Sequence, residues 1–209
     1  MVRRAHQGRP RGGAVEAGAR ERILDAAVVR IARDGIDEAR IARIAMDAGV
    51  STSLVHYHFE TREALLAEAL EYSYEVAGDT RIEEADWPDH TSRLAAMVDQ
   101  CLPYPGTLER DWILWVELWL RAVRHPELRP TAARLYERMH DWFAEAIAAG
   151  IEAGEFRPAE AERLADRVLA LCDGYGIRAL VGDPQLSVER ARAEVWSALA
   201  ADLGLPQTR

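Results

Sequence analysis

The stretch Ala42-Arg43-Ile44-Ala45-Met46-Asp47-Ala48-Gly49-Val50-Ser51-Thr52-Ser53-Leu54-Val55-His56-Tyr57-His58-Phe59 is compatible with few folds, because it reads as two short helices around a glycine turn. Ile41, Ile44, Ala45 and Ala48 recur at i, i+3, i+4 and i+7, one apolar stripe on a first helix. Gly49 accepts the positive φ that a tight helix end requires, and Ser51 has an oxygen for the free N–H groups of the next helix. At about 100° per residue, Thr52, Ser53, His56 and Tyr57 share one side of that second helix, with Leu54 and Val55 flanking the other. A polar-faced helix held steeply by a short turn is the geometry that enters a major groove. An ordinary helical hairpin with a solvated face has the same pattern, so the flanks must decide.

Upstream, Ile23, Leu24, Ala27, Val28 and Ile31 form an amphipathic helix stopped by Gly35. Downstream, Thr61-Arg62-Glu63 opens another helix with a threonine cap and an acidic first turn. In this order the elements of residues 20 to 70 resemble the DNA-binding domain of the TetR family of bacterial transcriptional regulators. Its pattern is a helix ending in Gly, then Ile-Ala, Ala-Gly-Val-Ser, a Tyr-x-His-Phe block, and Ser/Thr-Lys before a long fourth helix. The resemblance implies a recognition helix over Thr52 to Tyr57, with Ser51, Thr52, Ser53, Leu54 and Tyr57 facing DNA. Hydroxyls meet either donors or acceptors on base edges, and Leu54 suits a thymine methyl. His56 stands where the block has Tyr, keeping a phosphate-capable donor without the phenol's reach. His58 and Phe59 match; the resemblance implies His58 at a phosphate or at the helix 1 backbone, and Phe59 in the small core. Thr61 and Arg62 hold the Ser/Thr-Lys position, where hydroxyl, helix N-terminus and cation converge on one phosphate. Arg40 departs from the Thr that often starts the second helix, offering charge in place of a cap.

The overall charge of −9 suits this only when divided along the chain. Residues 1–62 hold 11 Arg against 8 Asp and Glu, a balance of +3, and the remainder holds 15 against 27, a balance of −12. Every one of the 26 basic residues is Arg. Residues 1–19, rich in Arg and Gly, are expected to be a disordered basic arm, whether a DNA-following arm or an inert tail. Residues 20–66 are the expected helix-turn-helix domain and 67–209 a larger helical domain for effector binding and dimerisation. No run of eighteen apolar residues and no signal-peptide core is present, so a cytoplasmic protein without membrane contact is expected. Cys101 and Cys172 lack metal-ligand spacing and are read as buried reduced thiols; no metal and no cofactor is expected.

Beyond residue 80 the periodicity predicts helices near 90–102, 107–125, 127–154, 159–180 and 187–203, separated by Pro and Gly signals, after an acidic break at Arg81 to Asp89. The fold class is therefore all-α: a three-helix head joined by a long fourth helix to a C-terminal bundle, about nine helices together. Trp112, Trp115 and Trp119 fall within about 60° of one helix face. They fit a packed core or the aromatic wall of a ligand pocket, with Met97, Met139, Trp142, Phe143 and Tyr175 as further pocket candidates. Glu117 lies on the other side with Arg110, Arg121 and Arg124, where a salt-bridged stripe is the better reading.

Glu117-Leu118-Trp119 with Arg121 and His125-Pro126, and the stretch Arg163 to Leu180, resemble the BetI-like C-terminal type of the same family. That resemblance implies a homodimer through the last two helices, with Leu164, Val168, Leu171, Tyr175 and Trp196 as interface candidates and Gly174 and Gly176 permitting close approach. The whole reads as a non-enzymatic, sequence-specific operator DNA-binding regulator, a repressor released by an unknown small-molecule effector. A helical carrier or enzyme with a fortuitous hairpin, or a ligand-independent DNA binder, are the other classes open to this sequence.

Overall fold

The computed structural model describes residues 13–77 and 87–206, and among them the chain is all-α with nine α-helices and no strand. These are α1 (Gly13–Asp34), α2 (Ile41–Asp47), α3 (Thr52–His58), α4 (Arg62–Ala77), α5 (His90–Gln100), α6 (Thr107–Arg124), α7 (Arg129–Glu152), α8 (Ala161–Leu180) and α9 (Val188–Leu203), with a 3-10 turn at Pro126–Leu128. No helix of the described residues is long and apolar enough to cross a membrane. The chain divides into two compact units, one ending at Ala69 and the other starting at Leu70.

One expectation is corrected at the N-terminus: residues 13–19 are the first turns of α1, not an arm. Ala14, Glu16, Ala17 and Ala19 are strong helix formers and outweigh the glycines between them. Ala19 is already buried, and Arg22 Nη1 donates to the Gly18 carbonyl at 2.9 Å. Arg3, Arg4, Arg9 and Arg11 lie outside the described residues, as does most of the acidic break before Asp89.

The first unit is built on Ile23, Leu24, Ala27 and Ile31 of α1, Ile44 and Ala45 of α2, Val55 of α3 and Leu65 of α4, all buried, with Phe59 closing the cluster. Each such side chain contributes about 1.5–3 kcal/mol on burial. A polar clamp accompanies this core. Arg30 is buried, its Nη1 donating to Asp34 at 2.9 Å and its Nη2 to Asp47 at 2.9 Å, with Nε also on Asp47. α1 is thereby tied to the C-terminal end of α2.

In the second unit α7 and α8 pack most extensively, flanked by α9 and α5. Leu94, Met97, Leu102, Phe143, Ile147, Val168, Val195, Trp196 and Leu199 are fully or almost fully buried in one cluster. Two glycines make the packing possible. A Cβ on Gly176 of α8 would lie 2.3 Å from the Trp112 ring, and one on Gly150 of α7 would lie 2.1 Å from Phe156. Gly176 thus serves an approach within the chain, whereas Gly174 is exposed with open space at its Cβ position.

Candidate nucleic-acid interface and ligand cavity

The helix-turn-helix is closed by backbone bonds that a non-glycine residue would strain. Gly49 has φ 66°, its N–H donates to the Met46 carbonyl at 3.2 Å, and Val50 N–H reaches back to Ala45 at 2.9 Å. This pair of bonds satisfies the free carbonyls at the end of α2 and turns the chain at once into α3. Ser51 then caps α3, its Oγ accepting from Leu54 N–H at 3.2 Å, and Thr61 caps α4 by accepting from Ala64 N–H at 3.0 Å. Arg40 occupies the N-cap position of α2 without a side-chain cap bond; its side chain is 70% exposed and 3.8 Å from Glu38.

Val55 is the buried residue of α3, and around it Thr52, Ser53, His56 and Tyr57 are exposed while Leu54 is half-buried. Tyr57 is 71% exposed, an unusual cost for a large aromatic unless a partner covers it. His58 stands edge-on to Tyr57 at 5.2 Å, and its buried Nε2 has no hydrogen-bond partner among the described residues, so the expected bond to the helix 1 backbone is absent there. Arg62 also departs from expectation. Its Nε donates to Ala39 O at 3.2 Å and its Nη2 to Asp37 O at 3.1 Å and to Ile36 O, which holds the loop between α1 and α2. The guanidinium expected at a phosphate is engaged on the protein's own carbonyls, leaving Arg40 and the exposed Arg43 of α2 as outward cations.

A cavity lies within the second unit. Trp112, Trp115 and Trp119 line it from α6, Met139 and Trp142 from α7, and Leu70 and Ser73 from α4. Trp112 meets Trp119 edge-on at 6.0 Å, Trp115 lies 5.8 Å from Trp119, and Trp119 stacks on Tyr136 at 5.7 Å with 12° between the planes. Five of the eight residues expected in a pocket therefore line this one. Met97 and Phe143 are instead fully buried core residues, and Tyr175 is half-buried against that core. Side chains facing inward on one helix divide between cavity and core according to depth, which periodicity does not resolve.

Two carboxylates missed by the sequence reading line the same cavity, Asp111 and Asp173. Ser73 Oγ donates to Asp111 Oδ1 at 3.4 Å, as does Arg110 Nη2 at 3.4 Å. Tyr136 OH donates to Asp173 Oδ2 at 2.7 Å. Burial raises the Asp173 carboxyl above its ordinary range, and the Tyr136 bond draws it back down. Glu117 is not among the lining residues, and no Arg, Lys or His of the described residues is either. The legible signal for Asp173 was a lone acid ending the apolar run Val168 to Cys172. Cys101 and Cys172 are free, buried, and also on the cavity wall.

The interface candidates of the last two helices divide as well. Leu164, Val168 and Trp196 are buried in the chain's own core, Trp196 Nε1 donating to Pro206 O at 3.3 Å, and Leu171 and Tyr175 are half-buried. The outward face of α8 carries Ala170 and Gly174, followed by Val181, and that of α9 carries Ala193 and Ala201, all exposed.

Residues 23–69 match the model of the bacterial regulatory proteins of the tetR family, and residues 90–204 match that of BetI-type transcriptional repressors, C-terminal. The HTH-type transcriptional regulator BetI of Cronobacter sakazakii is 27% identical over 184 residues, 83% of this chain and 85% of that one. A solved transcriptional regulator from Saccharomonospora viridis, in complex with choline, is 34% identical with a TM-score of 0.78, covering 90% of this chain and 98% of its own. A TetR-family regulator from Rhodococcus sp. is 30% identical with a TM-score of 0.77, covering 90% of this chain and 99% of its own.

Proposed function

Because the chain belongs to the TetR family of bacterial transcriptional regulators and carries a BetI-type C-terminal domain, we propose that it is a homodimeric repressor whose effector is a small organic cation of the choline type. Sequence-specific DNA binding and release by an effector are the family's activity and this chain's; working on chromosomal DNA, it acts in the cytoplasm. The observation that carries the cation is the cavity itself: three tryptophans, Trp112 and Trp115 each against Trp119, with two carboxylates and no basic side chain in the lining among the described residues. An aromatic face attracts a cation by about 0.5–2 kcal/mol, most when water is excluded, and a carboxylate supplies the counter-charge. The choline-bound relative supports the same class.

In this reading Thr52, Ser53, Leu54 and Tyr57 contact base edges, while Arg40, Thr61 and His56 hold phosphates. Two copies join through the outward small-residue faces of α8 and α9, because one short recognition helix reads too few base pairs alone. Effector and operator oppose each other through a coupling free energy that is reciprocal by linkage.

The test compares choline with 3,3-dimethyl-1-butanol, its uncharged isostere, by quenching of tryptophan emission and by release of bound operator DNA. Choline is expected to bind at least about tenfold more tightly, the equivalent of ~1.4 kcal/mol. Equal affinities would remove the cation from the reading.

A further inference from the structure

Tyr136 sits on α7 outside the cavity lining yet touches two groups that belong to it. Its ring lies parallel to the Trp119 indole at 5.7 Å and 6.5 Å from that of Trp115, while its hydroxyl donates to Asp173 at 2.7 Å. We propose that Tyr136 is a positioning residue for the effector site, holding with one side chain the aromatic face and the carboxylate that meet the cation. The proposal rests on the cation reading given above.

The need for such a residue follows from where Asp173 stands. Its carboxyl is half-buried, and a charge withdrawn from water tends to neutralise. The titratable groups that face it are Tyr136 from α7, Cys172 beside it on α8 and Cys101 at the end of α5, with Asp111 of α6 on the same cavity. Burial pushes both thiols up, so they bring no charge at neutral pH, and Asp111 is itself paired with Arg110, whose Nη2 lies 3.4 Å from its Oδ1. No Arg, Lys or His among the described residues lines the cavity to compensate. The Tyr136 hydroxyl is therefore the group that opposes neutralisation, since a donated hydrogen bond favours the charged form of its acceptor.

A neutral Asp173 would offer a cation no counter-charge. Effector affinity should thus fall as pH drops through the titration of Asp173, and the hydroxyl should set where that fall occurs. The phenyl ring of Tyr136→Phe keeps the stack on Trp119 and removes only the hydroxyl.

The experiment follows the Asp173 carboxyl by carbon NMR in the full chain, and measures choline affinity from pH 5 to pH 8, for the unaltered protein, Tyr136→Phe and Asp173→Asn. In Tyr136→Phe, Asp173 should titrate at higher pH than in the unaltered protein. Its choline affinity should approach that of the unaltered protein at pH 8 and fall behind by about tenfold on the acid side. Asp173→Asn should lose this pH dependence. An unmoved Asp173 titration, an affinity loss equal at every pH, or an Asp173→Asn variant with the original pH profile would each overturn the proposal. If the unaltered protein binds no choline at any pH while Asp173 still shifts in Tyr136→Phe, the cation reading fails and the role of Tyr136 in holding Asp173 ionised stands.

Discussion

At the residue scale, the first unit engages much of its positive charge with its own carboxylates and carbonyls. Arg20 pairs with Glu68, Arg22 donates to the Ala48 carbonyl, Arg30 clamps Asp34 and Asp47, and Arg62 ties down the loop after α1. A basic count is therefore a poor measure of DNA contacts here. Arg62→Ala should lower the melting temperature, through a loss of about 1–3 kcal/mol, while the slope of operator affinity against salt stays unchanged; thermal denaturation and a salt titration of DNA binding measure the two. Tyr57→Ala should instead leave the melting temperature alone and relax the preferred base sequence, read by selection from random DNA. For Asp47, the hydrogen bond from Arg30 holds the carboxyl below its ordinary value of 3.8. A depressed folded value stabilises at pH above the unfolded one and is lost as pH falls through the acid range. Asp47→Asn should accordingly lower the melting temperature near neutrality and flatten its decline below about pH 4.

At the element scale, Gly176 is the position where helix geometry and cavity depend on one another. Trp112 approaches α8 so closely that Gly176→Ala should cost about 1–3 kcal/mol by overpacking and weaken cation binding at the same time; Gly174→Ala, with open space, should do neither. Helix positions were readable because Pro105-Gly106, His125-Pro126, Gly154 and Gly182 interrupt strongly periodic segments, and those interruptions are local. The tryptophan face of α6 was readable for the same reason. What lay beyond reach was which inward residue meets empty space: Phe143 and Trp142 are chain neighbours, yet Trp142 lines the cavity and Phe143 is core. Asp173 and Tyr136 are 37 residues apart, and only the packing of α7 on α8 brings them together. The carbonyl partners of Arg62 were not readable because its nearest local feature is a helix N-terminus, whereas those partners lie more than 20 residues upstream.

At the scale of the whole molecule, the body's surplus of acid and the small outward faces of α8 and α9 bear on assembly. Gly174→Arg puts a bulky cation on the proposed subunit interface at a position with open space around its Cβ. It should yield a folded monomer by sedimentation velocity, with operator affinity reduced by an order of magnitude or more, since two heads then no longer bind as one. A dimer that survives Gly174→Arg unchanged would place the subunit contact elsewhere.

Cys101 and Cys172 are buried on the cavity wall, where a thiol reagent would report on access to the cavity. Their thiols are held protonated by burial, so alkylating reagents find few thiolates to attack, and reaction must wait for the cavity to admit them. If the proposed effector fills that space, the rate of sulfur labelling should fall with its concentration and serve as a stopwatch for how long it stays.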